Sequence, residues 1–356
     1  MIMAEPLLVN NLDTLLTACR EKPNIAALRR GPFDLNLSSI YSLIGADMQA
    51  VDAVVRAKLH SDVPLVCQIA EYIVASGGKR MRPALLLLCA GACGYRGEQQ
   101  HVLAAVVEFI HTATLLHDDV VDESSLRRGR ETANAQFGNA ASVLVGDFLY
   151  SRAFQMMVGV GDMRVMEVLA DATNVIAEGE VLQLMNCHNA DVEVDAYLKV
   201  VRYKTAKLFE ASARLGAILA GAGPGTEEGV AAYGMHLGTA FQIVDDVLDY
   251  SGEEAAIGKH LGDDLAEGKP TLPLIHVMKH GSAQESAVVR EALEQGGLER
   301  LPEVIRAVKD TGALEAAMMV AKEEIKIAGC VLEALPDTQY RNALIQLLDF
   351  AVARRY

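Results

Sequence analysis

The run Val106-Val107-Glu108-Phe109-Ile110-His111-Thr112-Ala113-Thr114-Leu115-Leu116 leads into His117-Asp118-Asp119-Val120-Val121-Asp122-Glu123, with Ser124-Ser125-Leu126-Arg127-Arg128-Gly129 directly behind. The first part has the spacing of an apolar helix. At 100° per residue Asp118 and Asp122 fall about 40° apart on one face, with Asp119 beside them. Three carboxylates therefore gather at the polar end of an otherwise apolar helix. Like charges this close raise one another's pKa unless something positive sits between them. Mg²⁺ is the natural counter-charge, because it takes oxygen ligands and is commonly held by carboxylates together with substrate phosphates. For one such motif the plainer reading is a solvated acidic helix end. The chain carries a second: Phe241-Gln242-Ile243-Val244-Asp245-Asp246-Val247-Leu248-Asp249 repeats the design after another apolar helical run. Two helices facing each other across a metal-diphosphate site is the arrangement this predicts.

Around these motifs the sequence reads as helix after helix. Ser38 is a suitable N-cap for a stripe at Ile40, Leu43, Ile44, Met48, Val51, Val54, Val55 and Leu59. A second helix covers 63–75 and stops at Ser76-Gly77-Gly78. Lys79-Arg80-Met81-Arg82-Pro83 follows, and a third helix opens on Ala84, with proline at its start where a missing N–H does no harm. Helical periods continue through 134–158, 163–188, 193–221, 227–250, 271–280, 284–295, 299–310, 312–335 and 337–354. Sustained β alternation is absent and no linker divides the chain. The expectation is all-α: one large helical bundle over 38–356 with a central apolar cavity between its helices. Residues 1–37, with Pro6, Pro23 and the Arg29-Arg30-Gly31-Pro32 break, read as a mobile or loosely docked extension.

Composition agrees. The 356 residues suffice for a substantial core, and that core must be built mainly from Ala, Leu, Val, Ile and Met, because 51% of residues are hydrophobic, only 5% are aromatic, and Trp is absent. A net charge of −15 excludes a nucleic-acid partner from the expectation. Cys19, Cys67, Cys89, Cys93, Cys187 and Cys330 form no C-x-x-C pair and read as free thiols in a reducing compartment. The amino terminus lacks the pattern of an export signal, and the apolar stretch 84–91 is too short to cross a bilayer. A cytoplasmic location is expected.

Basic residues complete the picture. Gly77-Gly78-Lys79-Arg80-Met81-Arg82-Pro83 places three cations on a glycine-hinged turn, where backbone approaches a phosphate closely and Arg binds it bidentately. Arg127-Arg128 lies just beyond the first aspartates. With Lys204-Thr205, Lys259 and Lys269-Pro270-Thr271, there are enough cations for two separate diphosphates.

In order and spacing, Gly-Gly-Lys-Arg-x-Arg-Pro, His-Asp-Asp-x-x-Asp with Arg-Arg-Gly, Lys-Thr, Phe-Gln-x-x-Asp-Asp-x-x-Asp and Gly-Lys-Pro-Thr resemble the trans-type isoprenyl diphosphate synthases, over roughly residues 40–350. Glu108 through Asp122 and 133–147 look most like the octaprenyl and related polyprenyl members. The resemblance implies the isoprenoid-synthase bundle, a homodimer, and about three Mg²⁺, with Mn²⁺ as a substitute, around an allylic diphosphate. It assigns the metal to Asp118, Asp119, Asp122 and Asp245, and less directly to Asp246 and Asp249. Arg127, Lys204, Lys259, Lys269 and Gln242 would contact the allylic diphosphate, with Lys204 and Lys259 as catalytic cations and Thr205 and Thr271 as weaker members. Lys79, Arg82, His111 and Arg128 would bind isopentenyl diphosphate. The chemistry implied is ionisation of the allylic diphosphate, attack by the isopentenyl double bond, and loss of a proton to the released diphosphate. Arg354-Arg355-Tyr356 reads as a frayed charged end, with folding over the diphosphate site as the alternative.

In such synthases the growing tail passes the residues four and five before the first aspartate. Here these are Thr114 and Ala113, both small, with Ile110 and Phe109 one turn back. The first gate is open and each unit extends the tail by roughly one 5.4 Å turn, so the stop lies several turns deeper; the family likeness implies about eight isoprene units, within about seven to ten. Phe148, Met156, Met157, Met166 and Leu169 are candidates for the tunnel floor, although each suits an ordinary core equally. The product would serve quinone side chains, with transient membrane contact at its release. Rival readings are a short-chain synthase, a terpene cyclase and a non-catalytic synthase subunit. The cyclase is disfavoured by the second Asp-Asp-x-x-Asp, the subunit by the complete set of aspartates and cations.

Overall fold

The computed structural model describes residues 37–75, 77–251, 261–296 and 298–354. The extension expected before residue 37, together with Lys259, Arg355 and Tyr356, lies outside them. The described residues open with α1 (Leu37–Leu43) and α2 (Gly45–Leu59), which divide what the sequence reads as one helix. Ile44, fully buried, leaves helical geometry at φ −108° and ψ 15°, which separates the two helices, and Ser38 lies inside α1, which begins at Leu37, instead of capping a longer helix. α3 (Pro64–Ala75) and the basic loop lead to α4 (Met81–Ala92), which starts ahead of the expected Ala84. Pro83 falls within its first turn, where the N–H has no intrahelical partner to lose. Leu85, Leu86, Leu87 and Leu88 of α4 are all buried, and each contributes roughly 1.5–3 kcal/mol by leaving water. A helix apolar on every face belongs at the centre of a bundle.

The first aspartate helix is α5 (Gln99–Val121). A short antiparallel ladder that the sequence does not suggest follows it, β1 (Leu126–Arg127) against β2 (Arg130–Glu131). Arg128 and Gly129 between them have φ 54° and 72°, the pair of positive values that a tight hairpin of the right twist requires. α6 (Ala133–Phe137) and α7 (Asn139–Val160) replace the single helix expected over 134–158, and α8 (Met163–Asn186) follows. α9 (Val194–Val201) continues through a π-helical turn, Arg202–Ala206, into α10 (Lys207–Leu219). The second aspartate helix is α11 (Pro224–Ser251). Beyond it come α12 (Asp263–Ala266), α13 (Leu272–His280), α14 (Ala283–Gln295), α15 (Leu301–Asp310), α16 (Ala313–Leu332) and α17 (Gln339–Ala353).

The all-α expectation holds apart from that hairpin. α11 packs on α10 and α16, α10 on α4, α4 on α5, and α5 on α7, so the two aspartate helices stand on either side of a shared apolar interior. A smaller core of Tyr250, Leu265, Leu274, Val277, Val289, Leu293, Val304 and Val308 joins the end of α11 to α12, α13, α14 and α15. Leu314 packs against both cores.

Candidate active site

A cavity of about 680 Å³ lies between α5 and α11, and all six motif aspartates are on its wall. Lys79, Arg82, His111, Arg127, Arg128, Lys204, Thr205, Gln242, Lys269 and Thr271 line it too. Residues separated by nearly two hundred positions in the chain are thus gathered around one space.

The first cluster sits at the carboxyl end of α5, where the helix dipole is already negative and further carboxylates need compensation. Each receives a cation from a different element. Arg127 on the hairpin donates from Nε and Nη2 to Asp119 Oδ1, at 2.7 and 2.6 Å. Lys204 lies 3.8 Å from Asp118, and Lys269 donates to Asp122 at 2.9 Å. Burial pushes Asp118 upward against the pull of Lys204. Burial also acts to raise Asp122, but Lys269 and Lys204 outweigh it and hold that carboxyl below its usual range. Asp119 is fully buried, and among the described residues its Oδ2 has no hydrogen-bond partner.

Lys204 and Thr205 lie in the π-helical turn, the kind of local widening that often marks a functional position. Lys204 also bonds Glu180 of α8 at 2.6 Å, and burial pushes Glu180 up to about 7.

The second cluster is held differently. Asp245 pairs with Arg354 Nη1 at 2.6 Å. Asp246, 3% exposed, accepts from the Tyr197 hydroxyl at 2.6 Å and from the Gln242 amide at 2.7 Å. Asp249 accepts from the Asp264 backbone N–H at 3.3 Å. Arg354 is not frayed. Its side chain is 2% exposed, lies 3.7 Å over the Phe241 ring, and donates to the Phe241 carbonyl at 2.7 Å. Ion pair and cation–π contact together explain why it packs down.

The basic loop divides its cations. Arg80, at φ 43°, bonds Asp52 and lies 3.9 Å from Glu108, so it ties the loop to α2 and α5. Arg82 Nη1 donates to His111 Nε2 at 3.1 Å and the guanidinium lies 4.6 Å from the Phe209 ring. Burial pushes Arg82 down to about 10, and burial with the nearby Arg82 and Arg128 holds His111 well below its usual value. The Arg128 guanidinium lies against Gly78, and Lys79 stands 5.5 Å over the Phe350 ring. Lys79, Arg82 and Arg128, with the His111 ring bonded to Arg82, therefore form a second cationic group beside the first.

Of the expected gate, Thr114 is on the wall, whereas Ala113, Ile110 and Phe109 are buried in the core behind it. Met156, Met157 and Leu169 are buried in the same core, with Phe148 and Met166 packed against it, all away from the cavity wall. Sequence reasoning assigned no role to Glu108, Glu180, Tyr197 and Asp264, which also line the cavity. Only Glu108, a lone carboxylate inside an apolar helical run, carried a visible signal.

The donors suit a hard divalent cation in kind: they are carboxylate oxygens, and the buried Asp119 Oδ2 has no partner among the described residues. Among the described residues no group of three His, Cys, Asp or Glu side chains is placed to hold a metal ion by itself.

The model of the polyprenyl synthetase family matches residues 63–309. The octaprenyl diphosphate synthase of Escherichia coli (strain K12) is 53% identical over 321 residues, 90% of this chain and 99% of that one. A crystal structure of a polyprenyl synthase from Caulobacter crescentus CB15, complexed with calcium and isoprenyl diphosphate, superposes with a TM-score of 0.88 at 41% identity, covering 91% of this chain and 100% of the other. A decaprenyl diphosphate synthase from Rhodobacter capsulatus gives a TM-score of 0.86 at 44% identity, covering 90% and 100%. The chain belongs to the polyprenyl synthetase family.

Proposed function

We propose that this protein is a trans-polyprenyl diphosphate synthase, which condenses an allylic diphosphate such as farnesyl diphosphate with successive isopentenyl diphosphates to a long all-trans product. The observation that carries this reading is the presence of two cationic groups on one cavity, one set among the aspartates and one on the basic loop. Two diphosphates need two such places. Arg127, Lys204, Lys269, Gln242 and Thr205 bind and orient the allylic diphosphate, with Lys259 as a further member. Lys79, Arg82, His111 and Arg128 bind isopentenyl diphosphate.

Mg²⁺, the metal of this family, would be held by Asp118, Asp119, Asp122 and Asp245, with Asp246 and Asp249 behind them, as about three ions per site. Bound there, it supplies positive charge to the departing diphosphate. Lys204, Arg127 and Lys269 add to that stabilisation from fixed positions, which matters most where charge develops. The allylic C–O bond breaks with its electron pair going to diphosphate, the isopentenyl double bond forms the new C–C bond, and the proton goes to the released diphosphate. The apolar wall keeps water from the cation.

The stretch 38–356 is read as one catalytic domain, helical in its described residues apart from the β1–β2 hairpin. Leu144, Phe154 and Val158 on α7 and Val181, Leu184 and Met185 on α8 are exposed apolar residues, which supports a homodimer through these helices. Among the described residues no helix is long and apolar enough to cross a membrane. Cytoplasmic action, with brief membrane contact when the apolar product leaves, completes the reading.

The test is a reaction of purified protein with Mg²⁺, farnesyl diphosphate and radiolabelled isopentenyl diphosphate, followed by chain-length analysis. The expected main product has about eight isoprene units, within a range of about seven to ten, and serves quinone side chains. A product of three or four units would place the closure near Thr114, and no incorporation would overturn the reading.

A further inference from the structure

The two aspartate clusters are joined to the rest of the site by very different contacts, and one set of contacts has no place in the reading above. Asp246 is almost without exposure, yet both of its carboxylate oxygens are engaged by neutral donors: Oδ2 by the Tyr197 hydroxyl and Oδ1 by the Gln242 amide. The chain of bonds continues. Gln242 Oε1 accepts from the Thr205 hydroxyl at 2.9 Å, and Thr205 follows Lys204 in the π-helical turn. One unbroken line therefore runs from α9 through the second aspartate cluster on α11 to the turn that carries the cation nearest Asp118.

We propose that Tyr197 is a positioning residue whose hydroxyl, through the relay Tyr197–Asp246–Gln242–Thr205, fixes the second aspartate cluster relative to the Lys204–Thr205 turn. Asp246 is the keystone of that relay and acts through its neighbours. The physical grounds are the burial and the geometry. A buried carboxylate needs hydrogen bonds in place of water, and two short ones, from Tyr197 and Gln242, supply them here. A Tyr side chain offers one donor on a rigid ring, and that ring is packed in the main core, so the donor's position is set by the fold. Gln242 serves as the joint, since its amide accepts from one neighbour and donates to the other, which fixes its orientation. Turning the Gln242 amide over would set its oxygen against the Asp246 carboxylate, two acceptors with no proton between them.

The inference rests on the proposed function, and the experiment separates the two. Binding of a thio-substituted farnesyl diphosphate, which ionises slowly, is measured by calorimetry with and without Mg²⁺ for wild type, Tyr197→Phe, Thr205→Val and the double variant. Wild type is expected to bind in a Mg²⁺-dependent manner. Each single variant should weaken that binding by about 10- to 100-fold, the usual range for groups that orient metal ligands. The double variant should be little worse than either single one, because both cut the same relay. In steady-state kinetics the allylic KM and the Mg²⁺ requirement should rise more than kcat falls. Unchanged Mg²⁺-dependent affinity in Tyr197→Phe, or fully additive losses in the double variant, would overturn the relay. Should Tyr197→Phe prove poorly folded, Asp246→Asn takes its place in the same cycle, and additivity with Thr205→Val overturns the proposal equally. Failure of wild type itself to bind the analogue or incorporate isopentenyl units would strike the functional reading instead.

Discussion

The ends of α5 and α11 carry the same four-residue spacing of aspartates, yet the fold surrounds them with opposite materials. On α5 every carboxylate faces a cation drawn from another element: Lys204, Arg127 and Lys269. On α11 one aspartate meets an arginine, and the other two are held by a phenol, an amide and a backbone N–H. The difference extends down each helix. Seven residues before Asp118 stands His111, which reaches Arg82. Seven before Asp245 stands Gly238, where an added Cβ would lie 2.7 Å from Ala206 Cα. A repeated motif therefore fixes where the carboxylates are, while their surroundings decide what each can do. The α5 carboxylates are balanced by mobile-ended Lys and Arg side chains, whereas Asp246 and Asp249 on α11 are held by neutral hydrogen-bond donors.

If that is right, the two clusters should not fail equally. Asp118→Ala should lower kcat/KM by about 10³-fold, because a group that helps hold the ion contributes several kcal/mol of leaving-group stabilisation. Asp246→Asn should cost less, about 10- to 100-fold, as a residue acting through others. Steady-state rates of isopentenyl incorporation give both numbers, and equal losses would erase the distinction. Lys269→Met comes next. It leaves Asp122 without the cation that holds its pKa down, and about a 10²-fold loss in kcat/KM is expected. A loss confined to thermal stability, with kinetics intact, would mean Lys269 only balances charge in the fold.

These contrasts also show what the chain reveals before folding. The aspartate spacing, the glycine-hinged basic loop and the apolar helical stripes are local patterns, so both aspartate helices and most cations were legible. The partners of Asp246 were not. Tyr197 sits in α9 as one more apolar-looking position, and nothing local says that its hydroxyl meets a carboxylate 49 positions away. Arg80 was legible as a cation but not as the one committed to Asp52, because that choice depends on a left-handed backbone at Arg80 itself. The gate illustrates the same limit. Helical spacing placed Thr114 near the motif, whereas which of Ala113, Ile110 and Phe109 reaches the cavity depends on how α5 is rotated in the bundle.

The packing side of the comparison is sharpened by Gly238→Ala. The new methyl would meet the backbone of the π-helical turn, which cannot give way as a flexible side chain would. Overpacking of this kind costs about 1–3 kcal/mol. Urea unfolding should show that loss, accompanied by a raised KM for the allylic diphosphate as the Lys204–Thr205 turn is displaced. A variant as stable as wild type would show that the turn is free to move, and the α11 end would lose its claim to rigidity.

The smallest effect concerns His111, the feature of α5 for which α11 has no counterpart. Its ring accepts from Arg82, so the proton of the neutral form resides on Nδ1, and burial beside two arginines holds its pKa well below 6.5. Below pH 6.5 the unfolded chain therefore takes up a proton at this position that the folded chain refuses. Stability must fall with falling pH there, by up to about 1.4 kcal/mol per pH unit, until the folded ring itself titrates. His111→Gln keeps an acceptor for Arg82 and removes the titration. Between pH 7.5 and pH 5.5 its unfolding free energy should thus fall by about 1 kcal/mol less than that of wild type. Parallel curves for the two proteins would mean that His111 is protonated in the folded state at pH 5.5, and that the basic loop tolerates one more charge than its packing against α5 indicates.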